Sequence, residues 1–516
     1  MTKSRQATKS ALIIVFFTFG SKLIGFIREM LIASKFGSSM ETDSYFIAIT
    51  ATGLIIGLIS NAISTTFIPV ITEVEAKEGK IGKIEHTNNM INVVFIISII
   101  LLIIGWIASP IIVRIVARGF VGEQFDLTVK LNRIAMPMIL FSGIVGVLTG
   151  FLHSENKFAT SSALGFPRNL VYIVFLLFFS SKFGIVGLMV ASTIAVASQV
   201  IILIPDAIKS GFKYKLIFDF KDVYVKRILI LSVPVLISVA INDLNAIVDR
   251  TLASSLEVGS ISALNYANRL INLILGVFIT AVTTVIFPLL SKESNDGNID
   301  NLKIVMGRGI NIIMIMIIPA SVGMIALAKP IIEIAFERGS FDVIATQMSS
   351  QALMFYSIGL LGMSVTLLLN RVYYSLQDTK APMVNGAISV GFNIILSLIL
   401  VKFMAHSGLA LATSIATTIA TILLLYGLKK KIGSLGTKGY ITTFLKTGLA
   451  SGVMGVVAYL IYHGLYRMLG VSKLYNLISL LMAVGAGVVV YLILCYVFKV
   501  EEVGNVVGKV KRRLKR

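Results

Sequence analysis

The sequence predicts an all-α polytopic membrane protein with about 14 transmembrane helices, arranged as two parallel six-helix lobes and two extra C-terminal helices. Hydrophobic residues make up 56% of the 516 residues and charged residues only 14%, whereas soluble globular proteins carry about 25% charged residues. The mean hydropathy is +0.91. Apolar windows of about 20 residues, each long enough to cross a bilayer as a helix, recur along the chain. An internal repeat then groups these windows into two lobes.

The predicted spans follow one another with short connections. The basic N-terminal segment runs into an apolar stretch longer than that of a signal peptide, so we expect a retained first helix. The even number of spans places both termini on the same side of the membrane. The loops on that side are rich in lysine and arginine, which predicts that it is the cytoplasmic side. The spans lie near residues 9–33, 43–70, 88–113, 131–153, 160–180, 184–206, 224–250, 260–290, 305–327, 347–370, 381–403, 407–429, 440–464 and 474–499.

Two sequence segments recur at nearly the same offset. The stretch around Pro110 returns around Pro330, 220 residues later, and the stretch around Pro69 returns around Pro288, 219 residues later. Six helices separate the copies, so both units enter the membrane in the same sense. Parallel repeats of this kind are related by an axis along the membrane normal and place the substrate between the halves.

These repeats predict the domain organisation. We expect an N-terminal lobe over 1–222, a C-terminal lobe over 223–432, helices 13 and 14 over 433–500, and a basic cytoplasmic tail over 501–516. The segment 206–227 mixes aromatic residues with lysines. It is either an amphipathic segment on the cytoplasmic membrane surface or an ordinary basic loop.

The first span carries charges where a membrane helix should have none. At about 100° per residue, Lys22, Arg28 and Glu29 occupy roughly a third of the helix circumference, together with Ser21 and Gly25. A charge at bilayer depth costs at least about 2.5 kcal/mol on insertion scales, so this sector should face protein or a water-filled cavity. A cationic cavity predicts an anionic passenger.

The second lobe also begins with polar groups in its first helices. Asp243 and Asp249 lie in the first, Arg269 lies in the second, and Asp43 near the start of span two could pair with Arg28 or Lys22. The alternative is that these charges neutralise one another as fixed buried pairs. The oxygens of Asp243, Asn393 and Thr413 could hold a small cation, with plain interhelical hydrogen bonding as the other interpretation.

The cysteine count, the missing catalytic motifs and the net charge argue against several classes of function. The single cysteine, Cys495, allows neither a disulfide framework nor a thiolate metal site. No Walker motif is present, and no paired carboxylates lie in a long external loop, so we expect neither an ATPase nor an enzyme. The net charge of +21 fits basic cytoplasmic loops better than nucleic-acid binding.

Four stretches together resemble the MurJ (MviN) lipid II flippase family of the multidrug/oligosaccharidyl-lipid/polysaccharide exporter superfamily. The resemblance covers helices one to twelve, and the last two helices fit the extra pair of that family. The family arginine in the middle of helix two is missing, because residues 53–57 read GLIIG. The stretches are SKLIGFIRE (21–29), FGSSMETDSYF (36–46), YANRL (266–270) and YSLQDTKAP (374–382).

The resemblance implies a flippase that moves lipid II, the undecaprenyl-pyrophosphate-linked peptidoglycan precursor, from the inner to the outer leaflet of the bacterial cytoplasmic membrane by alternating access. Lys22, Arg28 and Arg269 would bind its pyrophosphate, whereas Asp43, Glu29 and Asp249 would couple charge movement. No cofactor is expected apart from Na⁺ or another monovalent ion, for which Asp243, Asn393 and Thr413 are the family-like positions. Membrane lipids and cell-wall synthesis proteins are the other expected partners.

Two alternatives stay open beside this interpretation. One is a flippase for another polyprenyl-pyrophosphate oligosaccharide, which sequence alone does not separate from the first. The other is a non-transporting membrane scaffold for cell-wall assembly proteins. A scaffold would not need the buried charges, whereas a flippase would.

Overall fold

The computed structural model describes residues 3–470 and 472–504, and every regular element in that part of the chain is a helix. The all-α fold class is therefore confirmed. The first helices are α1 (Lys3–Phe36), α2 (Met40–Val116), α3 (Gly122–Ala135), α4 (Met138–Ser154), α5 (Ala159–Ser162), α6 (Gly165–Phe178), α7 (Ser180–Lys209) and α8 (Val223–Ala253). The others are α9 (Ser260–Ile274), α10 (Thr280–Asn295), α11 (Ile299–Ala326), α12 (Ala328–Phe336), α13 (Val343–Ile358), α14 (Leu360–Ser375), α15 (Lys380–Ile432), α16 (Thr437–Leu469) and α17 (Lys473–Val497).

Three of these elements are interrupted at one residue: α7 near its start, at Gly184 with φ 55°, and the two longest elements, α2 and α15, near their middle. Gly79 has φ 71° inside α2, and Ala405 has φ 47° inside α15. A left-handed residue interrupts the helical hydrogen bonds, so α2 and α15 each contain two consecutive predicted spans. Within the described residues, nine helical segments are long and apolar enough to cross a membrane, or ten if α13 and α14 form one bent span. The number fourteen stays a prediction.

The chain divides into two compact units by its internal packing. The first comprises Met1–Ser262 with Gly339–Phe341, and the second comprises Ala263–Arg338 with Asp342–Arg516. Helix α8, which follows the predicted lobe boundary at 222, packs within the first unit, mainly on α2. The basic end of the predicted tail, 505–516, lies outside the described residues.

The core of the first unit is aliphatic and aromatic. Phe67 and Val74 on α2 pack with Phe151 on α4, and all three are fully buried. Lipid tails are as apolar as these side chains, so close van der Waals packing is what such clusters contribute between membrane helices. In the second unit, Tyr491 and Cys495 on α17 pack against α16.

A buried cation joins the turn after Gly79 to α4. Lys83 has a fully buried side chain, and its ammonium lies 2.7 Å from Glu75 and 2.5 Å from Glu155. A buried lysine needs such partners, because leaving the ammonium desolvated and unpaired would cost several kcal/mol.

The segment between α7 and α8 is extended and is held by three asparagines of α2. The side-chain amide of Asn88 donates a hydrogen bond to the carbonyl of Lys213 and accepts one from the N–H of Lys215. The side-chain amide of Asn89 donates to the carbonyl of Asp219 and accepts from its N–H. The segment 206–227 thus contains no amphipathic helix between its flanking helices. Its backbone groups are satisfied by side chains, as those of a sheet edge would be by another strand.

Candidate functional site

Arg28 lies in the charged sector of α1 that the sequence predicts. Its guanidinium donates to Asn169 Oδ1 at 3.1 Å and to Glu29 Oε1 at 2.5 Å, and it lies 4.9 Å from the ring centre of Tyr172. Only 13% of the side chain is exposed. An ion pair, an amide and an aromatic face together stabilise a planar cation inside a helix bundle. Arg28 therefore presents an oriented, nearly dehydrated positive charge.

Close packing between α1 and α6 places the partners of Arg28. The amide of Asn169 also donates to the carbonyl of Ser21 at 3.1 Å. A side chain at Gly165 would collide with Ser21, and one at Gly25 would touch Asn169. Small residues let two membrane helices approach and bond across their interface. The sequence puts glycines where α1 and α6 meet.

Lys22 lies on the same helix as Arg28 and is half-buried. With Glu29 in this sector, the first unit holds two cations and one anion in one stripe of α1. The Arg28–Glu29 pair is what the fixed-pair alternative expects for Arg28. It leaves one unit of positive charge in the stripe, so a net cationic character persists.

The sequence suggested that Asp43 could pair with Arg28 or Lys22, but in the structure it pairs with neither. Its two oxygens accept the backbone N–H of Gly259 at 2.7 Å and that of Ser262 at 2.8 Å, and Ser262 also donates its hydroxyl. These are unsatisfied donors at the start of α9, where a negative charge is stabilised by the helix dipole. Asp43 thus caps α9 from another helix.

The chain around this cap is packed backbone to backbone. Ser340 donates its N–H to the carbonyl of Ser34 at 2.8 Å. Gly37 and Gly339 have φ of 65° and 62°, and a Cβ on either would collide with the other segment. Glycine is required at both positions by conformation and by space.

Arg269 lies on α9 and is exposed, and α9 continues into a π-helical turn at Leu275–Ile279. Such turns are rare and often occur at functional sites. Arg269 belongs to the second unit, whereas Lys22 and Arg28 belong to the first. Its proposed contact with the same substrate stays a prediction.

The remaining predicted positions are divided between the two units. Asp243 and Asp249 are half-buried on α8. Asn393 donates to Thr413 Oγ1 at 3.1 Å across the break in α15. Among the described residues, no group of three or more histidines, cysteines or carboxylates could hold a metal ion. The Asn393–Thr413 contact is the interhelical hydrogen bond of the second interpretation, and a sodium site stays a prediction.

Sequence reasoning missed the partners supplied by distant helices. Asn169 and Tyr172 contact Arg28 but lie about 140 residues away in the chain. A lone asparagine in the apolar stretch 165–178 is a signal for a bundle-facing position. Nothing in the sequence indicates which charge it faces.

Comparison with known proteins gives one consistent result. The profile of the family described as lipid II flippase MurJ matches residues 32–496. A probable lipid II flippase MurJ of Vibrio cholerae is 30% identical over 440 residues, covering 83% of this chain and 84% of that protein. One from Rickettsia prowazekii is 29% identical, covering 96% and 99%.

Solved structures agree with the sequence matches. A lipid II flippase MurJ in an inward closed conformation superposes with a TM-score of 0.79 at 29% identity, covering 95% of this chain and all of that one. An inward-facing multidrug transporter of the MATE family, at 14% identity and a TM-score of 0.69, shares the fold. This chain therefore belongs to the lipid II flippase MurJ family of multi-pass membrane proteins.

Proposed function

We propose that this protein is a flippase that carries lipid II from the inner to the outer leaflet of the bacterial cytoplasmic membrane. The proposal rests on the family membership and on one observation: an oriented, nearly dehydrated arginine inside a membrane helix bundle. The head of lipid II carries a pyrophosphate, and a planar guanidinium binds phosphate oxygens through two parallel hydrogen bonds.

The charges of α1 give this proposal a mechanism. Glu29 holds the guanidinium of Arg28 while no substrate is bound, and the pyrophosphate competes with that carboxylate for the same N–H groups. Lys22 adds a second, more mobile charge a turn and a half away. In a low-dielectric cleft each of these contacts is stronger than in water.

The proposal places both termini in the cytoplasm. Arg269 supplies its third cation. The charge of the substrate is then shared by residues of both halves of the chain. Movement of the halves exchanges the accessible leaflet, as alternating access requires. Transport in this scheme is not an enzymatic reaction, because no covalent bond of the lipid changes.

The test separates a substrate role for Arg28 from a purely structural pair with Glu29. Arg28→Gln alone removes the positive charge beside the buried carboxylate of Glu29, so it could fail through instability. The double variant Arg28→Gln with Glu29→Gln removes both charges and leaves a polar side chain at each position. We expect it to reach normal protein levels and yet not rescue growth of flippase-depleted cells.

The matched control is Arg227→Gln, at an exposed pair with Glu73. We expect normal rescue by this variant. Leaflet accessibility of lipid II, measured in the same depleted cells, should show the precursor retained inside with the double variant and exported with the control. Full rescue by the double variant would refute the substrate role and would favour the scaffold alternative.

A further inference from the structure

An apolar crevice opens on the first unit, away from the charged stripe of α1. It has a volume of about 610 Å³ and lies between the second part of α2, α4 and α7. Phe95, Leu148 and Ile204 form its walls. The volume lies inside the range of roughly 300–1,000 Å³ that small-molecule sites occupy in proteins.

One end of this crevice is closed by the extended segment after α7. Phe212, Lys213 and Tyr214 form that end, together with Asn92 of α2. The amide of Asn92 donates to the carbonyl of Ile217 at 2.7 Å, and the Tyr214 hydroxyl donates to Asn92 Oδ1 at 2.7 Å. The asparagine contacts therefore fix a polar end on an otherwise apolar crevice.

The polar end carries a positive charge. Lys213 is exposed and forms no ion pair in the described part of the chain, whereas the neighbouring Lys215 lies 3.4 Å from Glu85. An anionic group is the complement of this end of the crevice.

Several apolar residues that line the crevice are exposed on the surface of the helices. Phe95 is 41% exposed, Ile204 is 43% exposed and Ile208 is 60% exposed. Such side chains on membrane-spanning helices face hydrocarbon, so an extended apolar chain can enter from the bilayer. A water-soluble ligand would have no reason to bind there.

We propose that this crevice binds an anionic phospholipid, with one acyl chain between α2, α4 and α7 and its phosphate at Lys213. The polar end belongs to the segment predicted to lie at the cytoplasmic face, where anionic lipids attract basic segments. The site is separate from Lys22, Arg28 and Arg269. Its occupancy would hold the linker between the sixth and seventh spans against the helices.

The experiment uses the full-length protein, stripped of lipid in detergent, with dioleoyl phosphatidylglycerol as the probe. Added probe should raise the thermal midpoint, and dioleoyl phosphatidylcholine should do so much less. Lys213→Gln should raise the half-saturating probe concentration about fivefold, which is the ratio for the ~1 kcal/mol that one lysine contributes at an anionic membrane surface. Lys221→Gln, on the same segment but outside the crevice, is the matched control.

A second variant tests the acyl-chain part and does not depend on charge. Ile204→Trp at the exposed rim should fill the crevice, keep the lipid-free thermal midpoint and abolish labelling of α4 and α7 by a phosphatidylglycerol with a photoreactive acyl chain. Equal probe responses of Lys213→Gln and Lys221→Gln would overturn the proposal. Unchanged labelling of Ile204→Trp, or displacement of the probe by equimolar undecaprenyl phosphate, would overturn it too.

Discussion

The carboxylate of Asp43 accepts two hydrogen bonds from Ser262, one from the backbone nitrogen at 2.8 Å and one from the hydroxyl. The same carboxylate accepts the N–H of Gly259. One side chain of α2 therefore satisfies the first turn of α9, a helix that begins more than 200 residues later in the chain.

The first prediction concerns this cap. Asp43→Ala leaves two buried N–H groups and one hydroxyl without an acceptor, each costing about 1–3 kcal/mol. Ser262→Ala removes only the hydroxyl bond. We expect a clearly larger drop in thermal midpoint for Asp43→Ala, measured on purified protein in one detergent. Equal drops for the two variants would show that Asp43 is not the cap.

The second prediction concerns the counter-ion of Arg28. Glu29→Gln leaves a mostly buried guanidinium without its charge partner, which costs of order 3 kcal/mol. We expect a lower thermal midpoint for this variant, restored when Arg28→Gln is added. Glu73→Gln, which removes an exposed partner of Lys77, should change the midpoint little. A Glu29→Gln variant as stable as Glu73→Gln would contradict the pair.

The third prediction separates conformation from space at Gly339. Gly339 and Gly297 both have positive φ, 62° and 70°, but only Gly339 has a neighbour where a Cβ would lie. Gly297→Ala should cost about 1 kcal/mol from the backbone alone. Gly339→Ala should cost more, since it also collides with the carbonyl of Ser34. Equal losses of thermal stability in the two variants would mean that the backbone at Ser34 moves away from the new methyl group at no cost in free energy.

The fourth prediction concerns the extended segment after α7. Asn89→Ala removes both side-chain bonds to the backbone of Asp219 and the one to the carboxylate of Asp222. We expect faster trypsin cleavage at Lys221, measured in membrane vesicles that expose the face carrying this segment. Asn295→Ala, at an exposed asparagine of α10, is the control. Unchanged cleavage would show that this amide does not hold the segment.

The same segment gives a pH dependence. Burial raises the pKa of Asp222, but hydrogen bonds from Asn89 and His86 outweigh it, so its pKa is lowered overall. A carboxylate whose pKa is lowered in the folded state stabilises that state at pH values above its unfolded-state pKa of about 3.9. The stabilisation is lost as the pH falls through the folded-state pKa. Hydrogen exchange of residues 213–222 should therefore stay slow at neutral pH. Its protection should fall as the pH drops below about 4, with Asp222→Asn as the pH-independent reference.

The fifth prediction concerns the ion site that the family resemblance suggested. If Asp243, Asn393 and Thr413 bind sodium, then sodium should raise the thermal midpoint of the purified protein more than potassium does. Asn393→Ala should remove that difference. If the two salts act alike on the unaltered protein, Asn393 and Thr413 form only the hydrogen bond observed between them.

The sequence was sufficient for the fold class and the charged sector of α1, since hydropathy and helical spacing determine these. The family came from the resemblance of four motif stretches. Lys22, Arg28 and Glu29 share a face by helix geometry alone. The partners of Arg28 on α6 and of Asp43 on α9 could not be predicted from the sequence, because tertiary packing brings together segments that are far apart in the chain. Asn88, Asn89 and Asn92 are visible as a polar patch, yet nothing local shows that they bind an extended backbone.

The burial of Lys83 has a consequence for chemical labelling. Its amine lies between Glu75 and Glu155 with none of its surface accessible, whereas Lys80, three residues earlier, is 53% exposed. Amine-reactive esters will therefore modify Lys80 and spare Lys83 in the native protein. The ratio of the two adducts in one peptide gives an internal gauge of whether any preparation of this protein is correctly folded.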